Sequence, residues 1–388
     1  MPRPRPLTPP SPRARQTTAA DQRGSREADR AIKNGVSREA DRATIEQRFA
    51  AVMEEFAAGG AWPGAVALSG GGDSVGLLHL IVRWAKKTKK TAPLALVVDH
   101  GLRPEAAREA RGVVKAAQAM GLEAVLLRWH APSTSGVEAA ARQARYRLMG
   151  EALAKKKLTT LYVGHTEDDQ AETFLLRLAR GSGLDGLSAM RALAPWPVPG
   201  FAHLTVARPL LGFRREELRG WLTARKLNWL EDPMNADPRF ARVKIRALAP
   251  ALAEAGLSSG RIALAARHMA AAREALELVT AAVLERAVRP TPQDCPQPGL
   301  LLDPAALAAA PRELSLRALA ALLQLVSGTS YRPRFAALER LHGQLVAGHF
   351  RGATLSGCAF RPAPANERLF GPATLKLTPE KRRWKGSV

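Results

Sequence analysis

From residue 45 onward, apolar positions along the chain switch repeatedly between two periods. Residues 65–68 form a short apolar run, and 94–98 a continuous one that ends in Asp99. Residues 124–129 and 161–163 read the same way. Between these runs the spacing is helical. It covers 74–84, with Val75, Leu78 and Val82 on one stripe, then 105–120, then 137–157, then a stretch through Glu172 and Leu176. Continuous apolar strands alternating with helices predict an α/β fold with a doubly wound parallel sheet. In such sheets ligands bind beyond the carboxyl ends of the strands.

After Gly181 the pattern changes. Residues 194–200 hold three prolines and a tryptophan and read as a loop, and 214–225 as a short helix. From 241 to about 347 the chain is rich in Ala, Leu and Arg and mostly helical, with a break near 290–298. The last forty residues carry Gly, Thr and Pro and read as short strands. The expected divisions are therefore a basic, disordered arm over 1–44, a nucleotide-binding domain over 45–240, a helical domain over 241–345 and a small β-containing segment over 346–388.

Composition narrows the function classes. The 388 residues are 46% hydrophobic, enough for two or three cores. No apolar run approaches the roughly 20 residues of a membrane span, and the beginning lacks the apolar stretch of a secretory signal. The expectation is a cytoplasmic protein without membrane contact. The only cysteines, Cys295 and Cys358, are far apart, which disfavours a disulfide framework, a zinc site or a redox pair. Lys and Arg number 58 against 35 Asp and Glu, a net +23. The arm over 1–44 carries ten basic and five acidic residues, so +5 of the +23 lies there and +18 in the rest. A short sequence, Ser-Arg-Glu-Ala-Asp-Arg-Ala, occurs twice in this arm, starting at Ser25 and at Ser37; two seven-residue copies build no solenoid. A balance this basic suits a polyanionic partner; an Arg-rich background is the competing reading.

Three constellations carry the chemistry. The first apolar strand runs into Ser69-Gly70-Gly71-Gly72-Asp73-Ser74. Glycines let backbone approach an anion, and the following helix aims its free N–H groups and dipole at it. No Gly-Lys-Ser/Thr follows, so this is not a Walker A loop. Asp99 stands at a strand's carboxyl end, where a ligand would lie; N-capping a helix that begins at Pro104 is its competing role. The third is Gly164-His165-Thr166-Glu167-Asp168-Asp169-Gln170-Ala171-Glu172-Thr173. Asp169 and Glu172 are three apart and share a helix face. Acids in a first turn favour the helix dipole in any case, but His165, Asp168, Asp169 and Glu172 together exceed what capping needs. Such a cluster can hold Mg²⁺ through oxygen or recognise a cationic amine.

The glycine loop resembles the Ser-Gly-Gly-x-Asp-Ser signature of PP-loop ATP pyrophosphatases, a Rossmann-like superfamily. Five further segments resemble the tRNA(Ile)-lysidine synthetase family: Val98 to Pro104, Glu138 to Arg147, His165 to Met190 with Asp-Asp-Gln-Ala-Glu-Thr and Arg-Gly-Ser-Gly, Arg208 to Leu211, and Glu231 to Arg246 with Asp-Pro-x-Asn-Ala-Asp-Pro-Arg-Phe. The likeness covers roughly 65–250, and Gly164 departs from it where members often carry a second His. The tail from Arg351 to Cys358 also resembles the C-terminal region of some members.

The resemblance implies a ligase. ATP adenylates the C2 oxygen of the wobble cytidine in the CAU-anticodon isoleucine tRNA, expelling pyrophosphate. The ε-amine of free L-lysine then attacks C2, and AMP leaves. Ser69, Gly70, Gly71, Gly72, Asp73 and Ser74 would hold ATP, with Asp99, His100 and Arg103. Asp73, His165, Asp169 and Glu172 are the catalytic candidates. Asp169 and Glu172 would orient the amine, and one of them or His165 would take its proton. Mg²⁺ is assigned to Asp73 and Asp169. Arg145, Arg180 and Arg208 are candidates for phosphate or base contact, with a solvated surface role competing for each. The helical domain would bind the tRNA body, and a homodimer is compatible with the resemblance. Two other readings remain. A PP-loop tRNA thiolase would want reactive cysteines near the loop. A non-catalytic RNA binder would have no use for acids beside a basic groove.

Overall fold

The computed structural model describes residues 43–101, 105–129, 137–231, 239, 241–292, 295, 297–329, 332–348 and 350–380. Most of the N-terminal arm, Arg103 and the basic end of the chain lie outside the described residues. Contacts divide the chain into two units. One comprises Met1–Asp169 and Arg191–Val243, the other Gln170–Met190 and Lys244–Val388.

The first half of the chain runs α1 (Ile45–Ala58), β1 (Gly64–Ala67), α2 (Gly72–Lys87), β2 (Leu94–Asp99), α3 (Ala106–Ala119), β3 (Ala124–Arg128), α4 (Val137–Lys155) and β4 (Thr160–Tyr162). It continues through α5 (Glu167–Leu178), α6 (Leu184–Leu187), β5 (Leu193–Pro195), β6 (Thr205–Ala207) and α7 (Arg215–Ala224). The sheet order is β3-β2-β1-β4-β6-β5. All pairs are parallel except the edge pair β5–β6. The four expected strands are present. β6 was too short to signal itself, and β5 begins the stretch expected to be a loop.

Strand alternation feeds two cores, one on each face of the sheet. Val66, Ala95 and Val97 point to the face covered by α1, α2, α3 and α7, where Phe49, Leu77, Leu80 and Leu218 are buried. Ala65, Leu94 and Leu96 point to the other, with Tyr146, Leu153, Leu161 and Val206. α1 starts at a capping box: Thr44 accepts from the Gln47 amide, and the Gln47 side chain accepts from the Thr44 amide.

The second unit takes α6, the part of α5 from Gln170, and α8 (Ala241–Glu254) from Lys244 onward. It adds α9 (Ser259–Ala287), α10 (Pro304–Ala308), α11 (Arg312–Ser327) and α12 (Phe335–Val346). Its sheet is β7-β8-β11-β10-β9, built from β7 (Val288–Pro290), β8 (Leu300–Leu302), β9 (Ala353–Leu355), β10 (Cys358–Pro362) and β11 (Leu375–Pro379). Every pair in it is antiparallel. Two short strands flank the expected break near 290–298, and these join the C-terminal ones in one sheet. The segment expected to stand apart from 346 shares its core with the helices: Leu319, Leu323, Leu341, Phe360 and Leu377 pack together. Among the described residues no helix is long and apolar enough to cross a membrane.

Candidate active site

The loop after β1 is shaped by its neighbours. Gly70 has φ +86°, and a Cβ there would lie 2.7 Å from the Val113 Cγ2 atom and 2.9 Å from Leu230 Cδ1. Only glycine meets both conditions. The Leu230 amide donates to the Gly70 carbonyl at 2.9 Å, fixing one side of the loop. Both serines act within it. Ser74 Oγ donates to the Gly71 carbonyl at 2.9 Å and accepts from the Ser69 amide at 3.2 Å, and the two hydroxyls are 3.1 Å apart. Ser69 and Ser74 thus brace the loop, leaving anion binding to backbone amides. The first-turn amides of α2, Gly72 and Asp73 among them, are those that helix geometry leaves without an intrahelical acceptor. Gly164, at the end of β4, presses against this turn: a Cβ would be 2.8 Å from the Asp73 carbonyl oxygen.

Three of the acids meet at one arginine that the sequence reading did not single out. Arg215, the first residue of α7, donates from Nε to Asp73 Oδ2 at 3.0 Å and from its Nη2 nitrogen to Asp169 Oδ1 at 3.1 Å. Its backbone amide donates to Asp168 Oδ2 at 2.7 Å, so Asp168 satisfies a first-turn donor that the helix itself leaves open. Asp169 Oδ2 accepts from both the amide and hydroxyl of Thr166, at 2.9 and 3.0 Å.

The two bridged carboxylates differ. Burial alone would raise Asp169, but the Arg215 guanidinium and the Thr166 amide outweigh it and hold the carboxyl below its usual range. For Asp73 burial wins over Arg215, Asp169 adds like-charge repulsion, and the carboxyl is raised. The reason is visible in the bonds: Asp73 Oδ1 is buried and accepts none. That unspent oxygen fits a divalent cation, which typically takes one or two carboxylates plus phosphate oxygens. Asp169 fits less well as a metal ligand, since both of its oxygens are engaged. No group of three or more His, Cys, Asp or Glu able to hold a metal gathers among the described residues.

A cationic group adjoins the acids. Arg208 Nε donates to His165 Nδ1 at 3.2 Å, and its Nη1 to the Arg191 carbonyl at 2.9 Å. Burial, then the charges of Arg208, Arg242 and Arg142, outweigh Asp169 and push His165 down to about 4. His165 is therefore neutral near pH 7, with Nδ1 occupied as acceptor and the proton on Nε2. In that tautomer it donates toward an anion, which argues against its serving as the base. Arg145 is held below its usual value by burial, then by Arg142 and Arg242. Arg142 and Arg145 both lie over the Tyr146 ring, at 5.2 and 5.7 Å. Guanidinium groups crowded this way are relieved by a polyanion.

The remaining candidates are placed as follows. Asp99 is buried at the end of β2 and accepts from the Gly101 amide at 3.0 Å. Helix α3 begins only at Ala106 with Glu105 before it, so Asp99 does not cap it. Burial, then Arg145, lowers His100, whose Nδ1 is buried without a hydrogen-bond partner. Glu172, one turn beyond Asp169 on α5, is buried and accepts from Arg246 Nε at 2.6 Å and Nη2 at 3.2 Å. Arg180 is exposed in the turn that follows α5. One signal pointed to Arg215, the Arg214-Arg215 pair opening the expected helix over 214–225. Arg142 stood in the Ala-Arg-Gln-Ala-Arg-Tyr run beside Arg145.

Comparison with known proteins identifies the family. Residues 42–252 match the PP-loop domain family. A tRNA(Ile)-lysidine synthase of Wolbachia pipientis wMel is 38% identical over 76% of this chain and 68% of its own length. One of Hyphomonas neptunium is 39% identical over 76% and 78%. Among solved structures, the U34-tRNA thiolase NcsA from Methanococcus maripaludis, with its [4Fe-4S] cluster, covers 53% of this chain and 71% of its own at 18% identity. Its TM-score of 0.45 says nothing of function.

Proposed function

Since the chain belongs to the tRNA(Ile)-lysidine synthase family of PP-loop proteins, we propose that it joins the ε-amine of free L-lysine to C2 of the wobble cytidine in the CAU-anticodon isoleucine tRNA, at the expense of ATP. The observation that carries this reading is the Asp73–Arg215–Asp169 bridge, standing directly on a glycine loop built for phosphate. An anion site and an acid pair in contact suit a reaction that expels pyrophosphate and then accepts an amine.

The cytidine O2 attacks the α-phosphorus of ATP, and the α-phosphorus–oxygen bond to pyrophosphate breaks. Backbone amides at the start of α2 meet the departing charge, pre-aimed by the Ser69–Ser74 brace. Mg²⁺, bound through Asp73 Oδ1, would neutralise phosphate charge there. The lysine amine then attacks C2, and the C2–O bond to AMP breaks. Asp169 attracts the lysine ammonium, with Glu172 as the second anionic partner, and one of these carboxylates takes a proton from it so that the free amine can attack; each is already neutralised by an arginine, so the amine must share or displace it. The cationic group around His165 and Arg208 faces an anionic substrate, RNA or nucleotide phosphate. The reaction belongs in the cytoplasm, with its substrates.

A thiolase reading is weaker, because Cys358 is buried in a hydrophobic core and Cys295 is engaged by Glu367 and Lys376. The test is to incubate the protein with ATP, radiolabelled amino acids and total bacterial tRNA. Lysine label should enter RNA with matching AMP release. Label from another amino acid, or AMP release that ignores tRNA, would sink the assignment.

A further inference from the structure

The carboxyl-terminal end of α2 carries a charge cluster that the reaction does not use. Residues 83–90 hold five cations, Arg83, Lys86, Lys87, Lys89 and Lys90, and no acid. All five side chains are exposed. A helix dipole is satisfied by a cation or two within the last turn, and Lys89 and Lys90 lie beyond the helix end at Lys87. Arg83, Lys86 and Lys87 line a groove of about 750 Å³ between α1 and α2, floored by Leu80 and Trp84. Lys90 is held over the Trp84 ring, with Nζ 5.7 Å from its centroid. The acid in the groove, Glu46, is committed to Arg225 at 2.6 Å and is 3.8 Å from Arg83. The surface is therefore cationic, and packing fixes part of it in place.

We propose that this end of α2 is a docking surface for RNA backbone phosphates, separate from the catalytic site. The proposal rests on the chain acting on tRNA. Charge complementarity selects the occupant: lysine side chains spread along a groove suit a line of phosphates, with no demand on sequence. The opposite end of α2 opens at the phosphate loop, and sixteen helical residues separate the two by about 24 Å. Contacts here act on RNA well away from the reacting base, so they set affinity and leave the chemical step alone.

The test compares the full-length chain with Lys86→Ala/Lys87→Ala/Lys90→Ala. Lys89 is kept because it has φ +55°. Binding of isoleucine tRNA is measured across salt concentrations, with steady-state kinetics at saturating ATP and lysine. Losing three phosphate contacts should flatten the log–log salt slope by roughly 2–3. Affinity at low salt should fall at least tenfold, KM for tRNA should rise in step, and kcat and the melting temperature should not move. Arginine at the same three positions should restore wild-type binding. An unchanged slope and KM in a chain that still modifies tRNA overturns the proposal and spares the enzymatic reading. A wild-type chain that fails to bind tRNA overturns both. Loss of binding to phosphatidylglycerol vesicles with tRNA binding intact would reassign the surface to a membrane and overturn it too.

Discussion

Replacing Arg215 probes the centre of the site. Its guanidinium is shared by Asp73 and Asp169, and the three side chains are only 19%, 25% and 7% exposed. Each ion pair is worth about 4 kcal/mol at an effective dielectric of 20, and much of that is offset by desolvation. Breaking a buried pair by removing one partner typically costs about 3–5 kcal/mol. With Asp73 a quarter exposed, a loss of about 2–4 kcal/mol is expected for Arg215→Ala, a drop of several degrees in the first unit's melting temperature. Arg215→Lys should fall between, because a compact ammonium cannot donate to both carboxylates as a planar fork does.

The electrostatic consequence is the sharper test. Asp73 is already raised by burial, with Arg215 opposing that shift. Without Arg215 it should rise further, so protonation sets in at higher pH and the acid limb of ATP–pyrophosphate exchange moves upward. The sign for Asp169 is the reverse. Its depressed pKa gives stability present above the ordinary value of 3.8 and lost as pH falls through the folded value; that contribution should vanish with Arg215. Exchange is measured against pH with tRNA present, alongside melting curves. Wild-type exchange, an unmoved acid limb and an unchanged melting temperature in Arg215→Ala would refute the bridge as the site's organiser.

Four further substitutions test neighbouring parts. Gly164→Ala puts a Cβ 2.8 Å from backbone that cannot swing aside; overpacking of about 1–3 kcal/mol and a roughly tenfold to hundredfold loss of exchange are expected, and normal exchange would mean the turn yields freely. Asp73→Ala should abolish ATP–pyrophosphate exchange while tRNA affinity stays near wild type; retained exchange removes Asp73 from the ATP site. Glu172→Ala should raise KM for lysine far more than KM for ATP, whereas equal effects would assign Glu172 to holding Arg246 in place. For His165, the folded value of about 4 lies below the ordinary 6.5, so the unfolded chain binds the extra proton between them and stability falls as pH drops through that window. His165→Gln should flatten that dependence, and an unaltered pH–stability curve would show that burial does not depress this imidazole.

How much of this was legible in the chain follows from distance along it. The loop from Ser69 to Ser74 and the acids from Asp168 to Glu172 are local: a strand, a glycine run and helical spacing announce each within ten residues, and both stand at strand ends as expected. Arg215 meets Asp169 across 46 positions and Asp73 across 142. No periodicity links such residues; only the sheet order, which sets β6 beside β4 and β4 beside β1, brings α7 to the loop. The same distance effect explains the misread strands. β5 and β6 have three residues each, too few for an alternating pattern, and β7 and β8 are held by pairing with β11 and with each other. Helix α5 shows the limit most sharply. Its sequence pattern is continuous from Glu167 to Leu178, yet contacts assign Asp169 to the first unit and Gln170 to the second. A cut after Ala241 at the expected boundary would therefore strip Gln170–Met190 of the residues it clusters with. That deletion would injure the helix bearing Glu172, so charge substitutions in the intact chain report on RNA binding more cleanly than truncation does.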